Sequence, residues 1–191
     1  TAPKGMSLSV DSAGSLTGVT AKGEIWSSAD GFTWTSVQAA QSFSLRRGML
    51  AGSNYVAVGQ SGVIQVGNPT STPAVPMAMV PSARPMVPTN GVSWNRSLTS
   101  PIYVAVGSGA TWTSTDNVTW TPHTQTGKNM LAITWTGTSF VAVGDAIWTS
   151  TDGITWAQRQ SGPSKSGPGL YGVAYINSKA YAFGFNTKTK T

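Results

Sequence analysis

An eleven-residue phrase constrains the fold of this chain more than any other feature: Ala146-Ile147-Trp148-Thr149-Ser150-Thr151-Asp152-Gly153-Ile154-Thr155-Trp156. Its first Trp, its Asp and its last Trp return at the same spacing as Trp26, Asp30 and Trp34 and as Trp112, Asp116 and Trp120. The residues on either side of the Asp (Ile147, Trp148 and Thr149; Ile154, Thr155 and Trp156) are β-branched or aromatic, as strands prefer. Between them an Asp can accept hydrogen bonds from backbone N–H groups just downstream, and Gly31 or Gly153 supplies a positive φ at no steric cost. Asn117 replaces that glycine in the middle copy, and Asn is the next most tolerant residue for a left-handed backbone. Each phrase therefore predicts a β-hairpin. Both Trp of a copy lie four residues from its Asp, which predicts that the two indoles face each other across the hairpin as an aromatic clasp.

A second phrase recurs ahead of the hairpins: Tyr55-Val56-Ala57-Val58-Gly59, Tyr103-Val104-Ala105-Val106-Gly107 and Phe140-Val141-Ala142-Val143-Gly144. Unbroken apolar runs of this length, closed by Gly, predict strands buried on both faces. Successive copies lie 36 residues apart at Asp116 and Asp152 and 37 apart at Gly107 and Gly144, a period that signals a repeat architecture. A first unit is expected at 6–10, 16–20 and the hairpin 24–35. A second runs through 43–45, 55–59 and 63–66. The third begins near Ser97 and ends at Thr121 with its first strand shortened or lost. The fourth covers 130–157, with Leu131, Ile133 and Trp135 alternating as its first strand. A fifth starts at 170–175 and 180–184 and stops before any hairpin, ahead of a polar tail at 185–191.

The pattern Ser-x-Asp-Gly-x-x-Trp resembles the Asp-box, or BNR, repeat of β-propellers such as sialidases, sortilin-type receptors and many phage and bacterial surface proteins. The family's usual form has one more residue between Asp and Trp. The resemblance implies an all-β, propeller-like array of four-stranded antiparallel units, four to five blades in number, each sandwiched between its neighbours. It also implies that the box is a structural turn away from any binding site. The incomplete last unit then either closes a ring with an amino-terminal strand or is completed by residues or chains outside this sequence. One domain over 1–191 is expected, since 191 residues can bury a sizeable core.

The second unit lacks its Asp turn. Gly91-Val92-Ser93-Trp94 matches the strand after the turn, so 67–90 reads as a long inserted loop with Pro69, Pro73, Pro76, Pro81, Pro85 and Pro88. Prolines at that density favour extended, polyproline-like segments over helix or regular sheet. Met77, Met79, Arg84 and Met86 make it a candidate arm for docking a partner, because methionines adapt to irregular apolar surfaces.

Little in the composition suits catalysis. Glu24 is the sole glutamate, the aspartates are Asp11, Asp30, Asp116, Asp145 and Asp152, and His123 is the sole histidine. Three aspartates are assigned to turns, no set of groups matches the acid/base pair of a glycosidase, and cysteine is absent. No catalytic residue, cofactor or metal is expected. His123 is expected as an exposed residue of a connection between units. The charge of +6 is dispersed, with Arg46-Arg47 as the only adjacent pair, which points to solubility or general attraction to anionic surfaces rather than to nucleic acid. No apolar run of eighteen or more residues is present, so membrane insertion is not expected. Charged residues are only 9% of the chain, a composition suited to a β-rich extracellular or virion protein. The start at Thr1 suggests a product cut from something longer. Trp135, Tyr171 and Tyr175 are candidates for stacking on a sugar.

Together these features predict a non-enzymatic bacteriophage virion protein of tail, fibre or capsid surface. Its expected partners are other virion subunits, in a homo- or hetero-oligomer, or a host surface polysaccharide. A secreted bacterial lectin or adhesin, and an intracellular assembly factor on the same scaffold, are the alternatives.

Overall fold

Residues 5–10, 14–42, 44–52, 54–68, 75–79, 87–161 and 169–184 are described by the structure, a computed structural model. Apart from a 3-10 turn at Gln60–Gly62, every regular element among them is a strand, and every pairing is antiparallel. Two sheets are four-stranded meanders. The first holds β1 (Ser7–Val10), β2 (Leu16–Val19), β3 (Ile25–Ser28) and β4 (Thr35–Gln38); the second holds β5 (Leu45–Ala51), β6 (Asn54–Gly59), β7 (Ile64–Asn68) and β8 (Val75–Met79). A six-stranded sheet follows: β9 (Thr89–Trp94), β10 (Tyr103–Ser114), β11 (Thr121–Trp135), β12 (Phe140–Gly144), β13 (Ala146–Ser150) and β14 (Ala157–Ser161). The two-stranded sheet of β15 (Leu170–Ile176) and β16 (Lys179–Gly184) ends the series.

The six-stranded sheet contains two units joined end to end. Residues 103–107 of β10 pair with β9, while 110–113 pair with the first half of β11. The second half of β11, 130–135, pairs with β12. Gly109 and Gly127, at φ +78° and +73°, stand between the halves. The third unit is thus β9, both parts of β10 and the first part of β11; the fourth is the rest of β11 with β12, β13 and β14.

Alternation within the Gly-closed runs explains how the units stack. Tyr55 and Ala57 belong to a core shared with Val19 and Ile25 of the first unit, whereas Val56 and Val58, between them in sequence, belong to a core shared with Ala105, Trp112 and Trp120 of the third. Val104 and Val106 likewise pack on Phe140, Trp148 and Trp156 of the fourth. A period-2 strand that is apolar at every position serves two neighbours at once. The closing glycine has a separate cause. A Cβ on Gly59, Gly107, Gly144 or Gly184 would overlap the carbonyl oxygen of Ser44, Pro88, Asn129 or Gly169, each just ahead of its unit's first strand. Because Gly184 repeats this contact, β15 and β16 are the first two strands of a fifth unit.

Pairing corrects the second and third units. The segment 67–90 is not wholly loop: β8 lies within it and pairs with β7, Val66 opposite Ala78. Pro76 is accommodated because β8 is an edge strand, paired on one side only. Gly91-Val92-Ser93-Trp94 belongs to the first strand of the third unit, with Trp94 opposite Tyr103, so that unit's first strand is present rather than lost. Met77 and Met79 fall in β8; Arg84, Met86 and the tail at 185–191 lie outside the described residues.

Candidate functional site

Three Asp turns share one hydrogen-bond pattern. Asp30 Oδ1 accepts from the backbone N–H of Phe32 (2.8 Å) and Thr33 (2.7 Å), Asp116 Oδ1 from Val118 (2.8 Å) and Thr119 (2.7 Å), and Asp152 Oδ1 from Ile154 (2.8 Å) and Thr155 (2.9 Å). A serine two residues earlier completes each turn. Ser28, Ser114 and Ser150 donate to the carboxylate at 3.1, 2.9 and 2.8 Å, and their oxygens accept from the N–H of Gly31, Asn117 and Gly153. Donors aimed at the ionised form lower a carboxyl pKa. The Thr33 and Phe32 amides hold Asp30 at about 2, and the Thr119 and Val118 amides do the same for Asp116. At Asp152 burial pushes upward, but the Thr155 and Ile154 amides and Ser150 outweigh it and the net direction is down.

The clasp is corrected. Trp26 stands opposite Ser36, Trp112 opposite Pro122 and Trp148 opposite Gln158, so neither Trp34, Trp120 nor Trp156 is the cross-strand partner. Ser27 pairs with Thr35 and Thr149 with Ala157, which centres each turn on Gly31 or Gly153, one residue beyond the Asp. Equal spacing from the Asp therefore leaves the second indole short of the strand. It folds over the turn instead, and Trp34 and Trp156 donate Nε1–H to the carbonyls of Gly31 (3.1 Å) and Gly153 (3.0 Å). With Asn117 in the glycine position the indole N–H of Trp120 and the side-chain amide of Asn117 are buried without hydrogen-bond partners; Trp120 packs on Tyr103 instead, 6.4 Å between ring centres.

First strands of all five units line a common space. β1 packs beside β5, β5 beside β9, β9 beside β11 and β11 beside β15. A cavity of about 220 Å³ is bounded by Leu8, Arg47, Gly91, Ala132, Gly172 and Phe183, and one of about 750 Å³ by residues including Val10, Trp94, Arg96, Leu98, Tyr175 and Ile176. Polar contacts cross between units nearby: Arg47 Nη1 donates to Ser7 Oγ (2.6 Å), Arg46 Nη1 to Asn90 Oδ1 (2.6 Å), and Asn90 Nδ2 to the Met130 carbonyl (2.9 Å). Burial lowers the pKa of the Arg47 guanidinium.

Of the three sugar-stacking candidates, Tyr175 is exposed and lines the larger cavity, and Tyr171 is exposed on the same strand. Trp135 packs on Phe140 at 4.6 Å against the core of the third and fourth units. Among the described residues the remaining acids are engaged locally, Glu24 accepting from Thr20 Oγ1 and Asp145 from the Asn129 backbone N–H and the Trp148 indole. His123 is corrected: it is half-buried within β11, Nε2 at 2.8 Å from Thr113 Oγ1, and burial lowers its pKa, with Asp152 opposing. Among the described residues no group of His, Asp and Glu is placed to hold a metal, and no helix is long and apolar enough to cross a membrane.

Sequence reasoning missed the relay role of Ser28, Ser114 and Ser150, although a serine two residues before each Asp was the available signal. It also missed Trp94 and Arg96 as cavity residues, for which no local signal exists. A comparison of the chain with protein-family models and with curated proteins finds no match.

Proposed function

We propose that this chain is a non-enzymatic attachment module, an Asp-box, propeller-like scaffold of a bacteriophage tail, fibre or capsid surface that binds a neighbouring subunit or a host surface glycan. The observation that carries this reading is the lining of the larger cavity. Exposed apolar and aromatic side chains (Tyr175, Ile176, Leu98 and Val10) gather there with Arg96, and a sugar ring stacks on such an aromatic face while hydrogen-bonding at its edge. Arrangement of five first strands about a common space supports the propeller-like organisation.

Binding of the labelled chain to bacterial cells and purified surface polysaccharides, at low and at physiological salt, tests the proposal. Saturable binding that survives salt and falls at least tenfold in Tyr175→Ala is expected. Binding that vanishes with salt would reduce the effect to the dispersed positive charge and overturn the glycan reading.

A further inference from the structure

Among the described residues, β16 has the character of an interior strand but no outer neighbour. In the first, second and fourth units the second strand is flanked by a third, with Gly18 opposite Trp26, Ala57 opposite Gln65 and Ala142 opposite Trp148. In the fifth unit, pairing among the described residues stops at β16. Yet β16 carries the features of a flanked strand. Gly184 makes the close carbonyl approach of Gly144, and Ala182, two residues before it, corresponds to Ala142, the small residue opposite Trp148. Tyr181 and Phe183 alternate with it and are 50% and 58% exposed.

The first unit presents the complementary surface. Trp148 and Trp156 are buried because Val104 and Val106 of the preceding unit cover them. Their counterparts Trp26 and Trp34 are only half-buried, and Phe32 at the turn is 90% exposed. Leu8 and Ser9 of β1 border the same cavity as Val173 and Phe183, so this uncovered face and the open β16 edge flank one sector of the molecule.

We infer that this sector is a docking slot for a two-stranded β-hairpin of the chain's own Trp…Asp-Gly…Trp kind, supplied by a partner polypeptide. The incoming first strand pairs with β16, placing a Trp opposite Ala182, and the hairpin's two strands cover Phe32 and Trp34 as Thr111 and Thr113 of β10 and Gln125 of β11 cover the turn at Gly153. Main-chain pairing supplies affinity and the alternate side-chain sites supply specificity. The inference rests on the attachment reading and gives its subunit partner a chemistry.

The test uses a cyclised peptide with the sequence of residues 145–161, added to the full chain. Saturable binding is expected, with amide exchange slowed at 179–184 and unchanged in β12. A peptide with both Trp replaced by Ala, and the Ala182→Trp chain, whose indole fills the incoming Trp's place on an exposed strand, each bind at least tenfold more weakly. Circular dichroism establishes that the variant is folded. Absence of protection at 179–184 in the wild-type chain, or equal binding by the Trp-less peptide, overturns the slot. Polysaccharide binding runs through Tyr175 and is read on the same Ala182→Trp protein, where no change is expected, so failure of the slot and failure of the glycan reading give different results.

Discussion

The first and fourth units carry the same turn in different surroundings. Hydrogen bonds at Asp30 and Asp152 agree within 0.2 Å for the Phe32/Ile154 and Thr33/Thr155 amides, yet Phe32 is 90% exposed while Ile154 is 44% exposed and Gly153 is packed against Val104 and Thr113. Thr111 Oγ1 donates to the Gly153 carbonyl and Gln125 Nε2 to that of Ile154; the turn at Asp30 has no such bonds to another unit among those of the described residues. Local sequence is sufficient to build the turn. What it contributes to stability depends on the neighbour that covers it.

The largest expected effect separates those two contributions. Trp148→Ala removes an indole packed between two units and should cost about 3–5 kcal/mol, the range for large aromatic truncations in a core. Trp26→Ala, at the corresponding place on the uncovered face, should cost about 1 kcal/mol. Denaturant unfolding of both variants measures the difference. Equal losses would mean that the face of the first unit is covered in solution and would break the comparison.

A smaller effect is expected at the turns. Asp152→Ala leaves two amides and a serine hydroxyl without their acceptor beside the buried Gly153, the aspartate itself being half-buried, and should cost about 1–2 kcal/mol. Asp30→Ala exposes the same groups to water, which satisfies them, so its melting temperature should move less. An unchanged melting curve for Asp152→Ala would refute the turn role altogether. Matching shifts in both variants would show that the local bonds alone set the stability.

The same division between local and neighbour-dependent structure decides what could be read from the sequence. Turns at Asp30, Asp116 and Asp152 are closed by bonds within four residues, and the Gly-closed runs announce their burial by lacking any polar position. Both were legible. The clasp was not, because spacing from the Asp conceals that the turn is centred on Gly31 or Gly153. β8 was not legible because Pro76 argues against a strand, and only the edge position that β8 acquires by pairing removes the objection; 91–94 reads as a strand but of the second unit, and its pairing with β10 places it in the third. The cavity residues Leu8, Trp94, Arg96 and Tyr175 are brought together from three units, and nothing in their own segments records that meeting.

Acid sensitivity should show the comparison in its weakest form. Asp30 and Asp116 are held at about 2 in the folded chain against an ordinary 3.8. A folded pKa below the unfolded one contributes stability that is present above the unfolded value and is lost as pH falls through the folded value. Their share should therefore fade between pH 3.8 and about 2. His123 acts earlier: its folded pKa lies below 6.5 because burial disfavours the imidazolium, so stability begins to fall as pH drops below 6.5. At Asp152 burial opposes the amide bonds, and its carboxyl should titrate at a higher pH than that of Asp30. Carboxyl carbon shifts followed by NMR from pH 6 to pH 2, at modest salt, resolve each group. Solvent screens the exposed turn, so the accompanying change in melting temperature should be the smallest of the three effects. If Asp152 titrated at or below Asp30, the neighbouring unit would be strengthening the turn's bonds rather than only drying it, and the covered and uncovered turns would differ in their electrostatics as well as in their burial.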